Sequence, residues 1–144
     1  MAVVSSETLH ATTVAIDGLA VLIEGPSGTG KSDLALRLID RGAKLISDDR
    51  TLVVRTAAGL VARAPQTLAG RIEVRGIGIA AVPCLAEAPV ALLVRLDAEP
   101  PRIPERRRRT IAGIDVRMVA LDPRPASAPI AIEIALRQPE ATPA

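Results

Sequence analysis

Hydrophobic and polar positions fall into short blocks with turn residues between them. Residues 12–16 (TTVAI) and 20–24 (AVLIE) are apolar runs separated by Asp17-Gly18, and they predict a hairpin. A glycine-rich stretch follows at 25–30. From Lys31 to Arg41, apolar residues at 34, 35, 38 and 39 form one stripe, with Asp33, Arg37 and Asp40 off it; this is an amphipathic helix, stopped at Gly42. Residues 44–47 (KLIS) predict a short strand ending in Asp48-Asp49. Residues 51–55 (TLVVR) and 60–63 (LVAR) flank Ala57-Ala58-Gly59 as a second hairpin.

Beyond residue 70 the pattern is less regular. Residues 71–82 (RIEVRGIGIAAV) begin with alternation and are then interrupted by two glycines. Residues 90–96 (VALLVRL) predict a buried strand, and 114–121 (IDVRMVAL) an alternating one. The polar, Pro- and Arg-rich segment 97–113 predicts surface loops. Pro129 can open a short helix over 130–137, although IAIEI fits a strand equally well. Residues 138–144 predict a frayed tail, and no internal repeat is apparent. One helix between strands, followed mostly by strands, predicts an α/β fold whose mixed sheet carries antiparallel strands and few helices.

Composition narrows the partners. At 144 residues the chain favours one domain, expected over 1–137. Lys+Arg 18 against Asp+Glu 16 gives +2, too near neutral to imply nucleic-acid binding. The chain has no Phe, Tyr or Trp, so a bound base would have to rest on aliphatic side chains, Arg or backbone. A single cysteine and a single histidine exclude disulfide frameworks and multi-Cys or multi-His metal sites. With no signal peptide and no apolar run of about 18 residues, the expected setting is the cytoplasm rather than a membrane. Cys84, with no cation close in sequence, is expected to be a buried small hydrophobe.

Gly25-Pro26-Ser27-Gly28-Thr29-Gly30-Lys31-Ser32 fits G-x-x-x-x-G-K-[ST] at every fixed position, between a strand and a helix. Such a loop wraps a polyphosphate in backbone N–H groups at a helix N-terminus. Lys31, one of only two lysines, would reach the β- and γ-phosphates of a nucleotide, and the Ser32 hydroxyl would bind Mg²⁺. A right-handed crossover would put the 44–47 strand parallel to the loop strand, beside it or one removed. Asp48 and Asp49 would then face the γ-phosphate, one to hold Mg²⁺ through water and one to take a proton from an acceptor hydroxyl. Glu73 and Arg75 project to one side of an extended segment, where they could hold a metal and a phosphate. Taken alone, such a pair is an ordinary feature of strand surfaces, and a lone His10 near a terminus is an ordinary surface residue. Arg102 and Arg106 to Arg109 make a basic loop suited to an acidic protein partner or to charge stabilisation.

With these residues in view, the chain resembles the catalytic domain of the HPr kinase/phosphorylase family, whose members phosphorylate a serine of the phosphocarrier protein HPr. The resemblance spans about residues 8 to 136 and is strongest over GPSGTGKSDLALRLIDRGAKLISDD (25–49) and IEVRGIGI (72–79). It implies a P-loop core similar to that of phosphoenolpyruvate carboxykinase. It further implies His10, Lys31 and Asp49 as catalytic His, Lys and Asp, with Ser32 and Glu73 as Mg²⁺ ligands and Arg106 as a later catalytic Arg. The chain looks like the short form of some alphaproteobacteria, which lacks an N-terminal domain. The family's later loop, rich in Pro, Arg and Gly and tied to dephosphorylation, reads here as Asp122-Pro123-Arg124-Pro125-Ala126-Ser127-Ala128, without the second basic residue and the glycine.

The resulting expectation is an ATP- and Mg²⁺-dependent protein-serine kinase acting on an HPr-like protein, with phosphorylase activity and a homo-oligomer as further properties of the family. ATP would sit on residues 25–32, Asp49 would abstract the hydroxyl proton, and His10 and Arg75 would support the phosphates or orient the acceptor. Two other readings fit the loop: a small-molecule kinase, since GPSGTGKS also resembles the guanylate kinase loop, and a nucleotide-dependent regulator without transfer.

Overall fold

The structure, a computed structural model, describes residues 3–65, 69–102 and 107–138. A hairpin of β2 (Ala11–Ile16) and β3 (Leu19–Glu24) leads into the glycine-rich loop and helix α1 (Lys31–Asp40). Then come β4 (Lys44–Ser47) and the β5 (Thr51–Thr56) and β6 (Gly59–Arg63) hairpin. Strand β9 (Glu87–Leu96) is long enough to serve two neighbourhoods. Its first residues pair antiparallel with β6, and its last four pair parallel with β11 (Ile114–Leu121). Helix α2 (Ala128–Arg137) closes the described chain.

The sheet runs β1-β5-β6-β9-β3-β2-β4, where β1 is Val3–Leu9, and β11 and β10 (Arg107–Ile111) branch from β9. Strands β7 (Arg71–Val74) and β8 (Gly78–Ala81) form a separate two-stranded sheet. This is the mixed, largely antiparallel α/β architecture expected, with two helices among the described residues. Pairing of β3 with β9 and of β9 with β11 is parallel; β4 is antiparallel to β2, which is antiparallel to β3. Strands β3, β9, β11 and β4 therefore all point their carboxyl ends to one edge, where ligands gather in such sheets.

Two apolar layers hold this arrangement. On one face, α1 and α2 bury Leu34, Leu38 and Ile132 against Val21, Ile23, Leu92 and Val94; on the other, Leu22, Leu93, Ile46 and Ile111 meet Val53 and Leu60. A fully buried Leu or Ile contributes about 1.5–3 kcal/mol, so the aliphatic layers supply a core without aromatic rings. Helix α1 ends as its pattern predicts. The Gly42 N–H bonds Ile39 O and the Ala43 N–H bonds Leu38 O, with Gly42 at φ 108°, which is a Schellman stop.

Two expectations are corrected, and one strand lies outside the predicted pattern. Strand β1 was not legible, because its Ser5 to Thr8 stretch is exposed and polar; only pairing with β5 makes it a strand. Within the expected loop segment 97–113, residues 107–111 are strand β10, whose burial alternates towards Ile111. Arginines disguise that alternation, since their stems pack while their heads stay polar. Cys84 is exposed rather than buried, at an isolated bridge between Leu45 and its own residue. Residues 130–137 resolve as helix, Pro129 being in the first turn. Of the expected tail, 139–144 lie outside the described residues.

Candidate active site

The loop after β3 is shaped by its glycines at two points. A Cβ on Gly25 would stand 2.7 Å from Thr29 Oγ1 and 3.3 Å from Leu96 Cβ, so only glycine lets the loop fold on itself. Gly30 caps α1 with φ 98°, a left-handed conformation that side chains resist. Between them Thr29 donates to Pro26 O through both its hydroxyl (2.6 Å) and its N–H (3.2 Å). Lys31 is buried at the helix start, and its Nζ donates to Gly25 O (2.8 Å) and Pro26 O (3.3 Å). Pro26, Ser27 and Gly28 form the exposed rim of the loop.

Strand β4 lies one removed from β3 and parallel to it, one of the two placements expected, and delivers Asp48 and Asp49 to the same edge. The chain turns sharply there, with Asp49 at φ 67° and the Arg50 N–H bonded to Asp48 O. Asp48 is a hub. Its Oδ1 accepts from Ser32 Oγ (2.6 Å) and Thr12 Oγ1 (3.0 Å), and its Oδ2 accepts the Glu73 N–H (3.0 Å). The Thr12 hydroxyl also accepts the Asp49 N–H at 3.1 Å. Asp49 itself is exposed and takes a 2.6 Å hydrogen bond from His10 Nε2; its side chain is 60% exposed and that of His10 52%.

A cavity of about 460 Å³ opens beside the loop, bounded by Lys31, Ser32, Asp48, Asp49, Glu73 and Arg75. The sequence-predicted residues from four separate segments thus converge, and His10, between β1 and β2, reaches the cavity through Asp49. Glu73 and Arg75 both line it, as their spacing predicts. The glycines beside them, Gly76 and Gly78, have φ of 82° and 122°, with open space around an added Cβ. They shape the turn into β8. Arg106 lies outside the described residues. Arg109, expected on a basic loop, donates to Glu24 Oε1 at 2.6 Å at the end of β3, and that bond raises its pKa above the ordinary arginine value.

The donor set suits magnesium. Ser32 and Asp48 bring hard oxygens into contact and Glu73 lines the same cavity. Mg²⁺ prefers one or two carboxylates completed by substrate phosphates and water over a closed protein cage. No group of three or more His, Cys, Asp or Glu that could hold a metal by itself occurs among the described residues. Sequence reading missed Thr12. It is fully buried inside an apolar run, and nothing in the sequence distinguishes it from a core threonine. No helix among the described residues is long and apolar enough to cross a membrane.

Known proteins resemble the chain in sequence and in shape. Residues 2–86 match the family model of the HPr serine kinase C-terminal domain. The HPr kinase/phosphorylase of Limosilactobacillus reuteri (strain DSM 20016) is 40% identical over 129 residues, covering 80% of this chain and 40% of that protein. The HPr kinase/phosphorylase of Clostridium acetobutylicum is 46% identical over 77 residues, or 54% of this chain and 25% of that protein. The chain therefore spans 40% or less of the length of these relatives. A solved structure described as the Hpr(Ser) kinase/phosphatase from Coxiella burnetii superposes with a TM-score of 0.81 at 32% identity, covering 91% of this chain and 94% of that one.

Proposed function

Because this chain belongs to the family of the HPr serine kinase C-terminal domain, we propose that it transfers the γ-phosphoryl group of ATP to a serine of an HPr-like phosphocarrier protein. Residues 1–137 are then one P-loop kinase catalytic domain working in the cytoplasm. The observation that carries this reading is the placement of Asp49. Its carboxylate is exposed to an incoming protein, bonded to His10, and on the wall of the cavity that Lys31 and Ser32 also line.

Asp49 accepts the proton of the serine hydroxyl as the serine oxygen bonds to the γ-phosphorus. The bond from that phosphorus to the β,γ-bridging oxygen breaks, and ADP leaves. The His10 N–H at Asp49 Oδ1 orients the carboxylate and leaves Oδ2 for the acceptor. Lys31 and Arg75 offset charge on the phosphates. Ser32, Asp48 and Glu73 would hold Mg²⁺, which when bound draws charge from the β- and γ-phosphate oxygens. The helix α1 N-terminus and the 25–32 backbone bind the rest of the triphosphate. With inorganic phosphate as the acceptor, the same groups would serve dephosphorylation: Asp49 gives its proton to the serine oxygen as that oxygen's bond to phosphorus breaks, and the phosphoryl group leaves as pyrophosphate.

The test is transfer of labelled γ-phosphate from Mg²⁺·ATP to the HPr-type protein of the same organism, with its candidate serine replaced as control. Labelling that vanishes in the control supports the reading, and excess inorganic phosphate added afterwards reads out reversal. ATP binding without labelling would refute it in favour of a regulator or another acceptor.

A further inference from the structure

The phosphate loop has a second flank. In the sheet order, β4 lies two strands to one side of β3, and β11 lies two strands to the other, beyond β9. The β4 side carries Asp48 and Asp49. The β11 side carries residues 122–127, which fold back over the first turns of α1. There a cavity of about 390 Å³ is bounded by Gly30, Asp33, Arg37, Pro123, Arg124 and Ala126. It shares Gly30 and Asp33 with the acidic cavity, so the two meet at the loop. Its volume falls within the roughly 300–1,000 Å³ of small-ligand sites.

We propose that this cavity is the nucleoside subsite, where the base of ATP stacks on the Arg124 guanidinium against the Pro123 ring, with the ribose at Asp33. The inference rests on the phosphate-loop reading above and extends it to the other end of the same nucleotide. With the γ-phosphate directed to Asp49, the nucleoside must leave the loop on the opposite flank, and this cavity is what stands there. The chain has no aromatic residue on which a base could stack, so an arginine plane and a proline ring are the flat surfaces open to it.

The subsite is built in advance. Arg124 grips Asp122 with its Nε and Nη2 (both 3.0 Å) and its backbone N–H (2.9 Å), and Nη2 also donates to Ala98 O at 3.2 Å. The guanidinium edge is thereby engaged and its side chain stays 72% exposed, which leaves a face for stacking. Arg37 ties the segment to α1: its Nη2 donates to Pro123 O at 2.6 Å and its Nη1 to Pro125 O at 3.2 Å. A Cβ on Gly30 would stand 4.0 Å from the Pro123 ring, so the proline packs directly on the phosphate loop.

Calorimetric titration of the whole chain with Mg²⁺·ATP and with Mg²⁺·tripolyphosphate tests this. Arg124→Ala should weaken ATP at least about fivefold while leaving tripolyphosphate within about twofold, since losing one stacked base costs on the order of a kcal/mol or more. Ala126→Leu, which fills the cavity while keeping Arg124, should do the same. A thermal melt of each variant separates loss of the subsite from loss of the fold. Equal weakening of both ligands by Arg124→Ala would overturn the proposal and make the cavity a phosphate site. ATP binding unchanged in both variants would place the nucleoside elsewhere and leave the phosphate loop intact. Wild-type protein binding neither ligand would remove the phosphate-loop reading and this subsite together.

Discussion

Thr12→Val removes one hydroxyl and almost no volume. In this structure that hydroxyl makes two bonds at once, donating to Asp48 Oδ1 at 3.0 Å and accepting the Asp49 N–H at 3.1 Å. A net hydrogen bond to a charged group is worth about 1.5–3 kcal/mol and a neutral one about 0.5–1.5 kcal/mol. Their sum is about 2–4.5 kcal/mol, from which the better burial of a methyl group subtracts up to about 1 kcal/mol. A net loss of roughly 1–4.5 kcal/mol should lower the Tm by about 2–18 °C for a chain of this size. The chemistry should suffer more than the fold. Asp49 holds a left-handed φ of 67° with its N–H anchored only by Thr12 among the described bonds, so its carboxylate loses its aim. Phosphoryl transfer should fall at least about tenfold in kcat with the KM for ATP little changed, since Ser32 and Glu73 still hold Asp48. Thr12→Ser, which keeps the hydroxyl, should restore most of kcat. Melting curves and steady-state transfer assays on the three proteins decide the matter. Wild-type Tm and kcat in Thr12→Val would refute the bridge, and so would a Ser variant as impaired as the Val one.

Asp49→Ala should reduce transfer by about 10²–10⁴-fold while retaining ATP binding by titration, whereas Lys31→Ala should lose both. Ile72→Ala should cost about 2–5 kcal/mol in urea denaturation, because this fully buried side chain fastens the β7–β8 hairpin to the core; an unchanged midpoint would sever that link. Asp122 should titrate below the ordinary carboxylate range, since its hydrogen bonds from the Arg124 side chain and N–H favour the ionised form. Its folded-state pKa being depressed, its contribution to holding the 122–127 segment is present above the unfolded value and lost as pH falls through the folded one. Following the Asp122 carboxyl carbon by NMR checks this, and Arg124→Ala should move the midpoint up towards the ordinary value, with the retained backbone N–H bond keeping part of the depression.

How much of this could be read from the sequence depends on what each segment is asked to reveal. The β2–β3 hairpin was legible as two apolar runs buried on both faces, α1 and the β5–β6 hairpin by their apolar positions, and the turns carry Asp-Gly, Gly42 and Gly59. Strands β1 and β10 were not: β1 is an exposed polar strand held by β5, far along the chain, while β10 pairs with its neighbour β11 but hides its alternation among arginines. The site divides in the same way. Lys31, Ser32 and the aspartates announce themselves through a motif whose backbone chemistry is local. His10 and Glu73 carry only a weak signal taken alone, and sheet topology and the Asp48 hub bring them in. Thr12 is the limiting case, a residue whose part is set entirely by what the fold places above it.

The same topology adds to the direction that Lys31 and Ser32 give the phosphate loop. The backbone N–H groups of residues 25–30 do not by themselves distinguish the two ends of a polyphosphate. Further asymmetry comes from the carboxyl ends of the outer strands. Strand β4 brings two carboxylates to one flank, and β11 brings Pro123 and Arg124 to the other. Carboxylates repel an unshielded phosphate and suit a proton acceptor beside a metal, while an arginine and a proline offer a surface to a neutral, flat group. Helix α1 enforces the difference along its own length. Ser32 in its first turn bonds Asp48 on the acidic side, and Arg37 further along holds the Pro123 and Pro125 carbonyls on the other. Two turns of one helix thus fix both flanks relative to the loop, which on the proposed reading sets the end of a bound triphosphate that reaches Asp49.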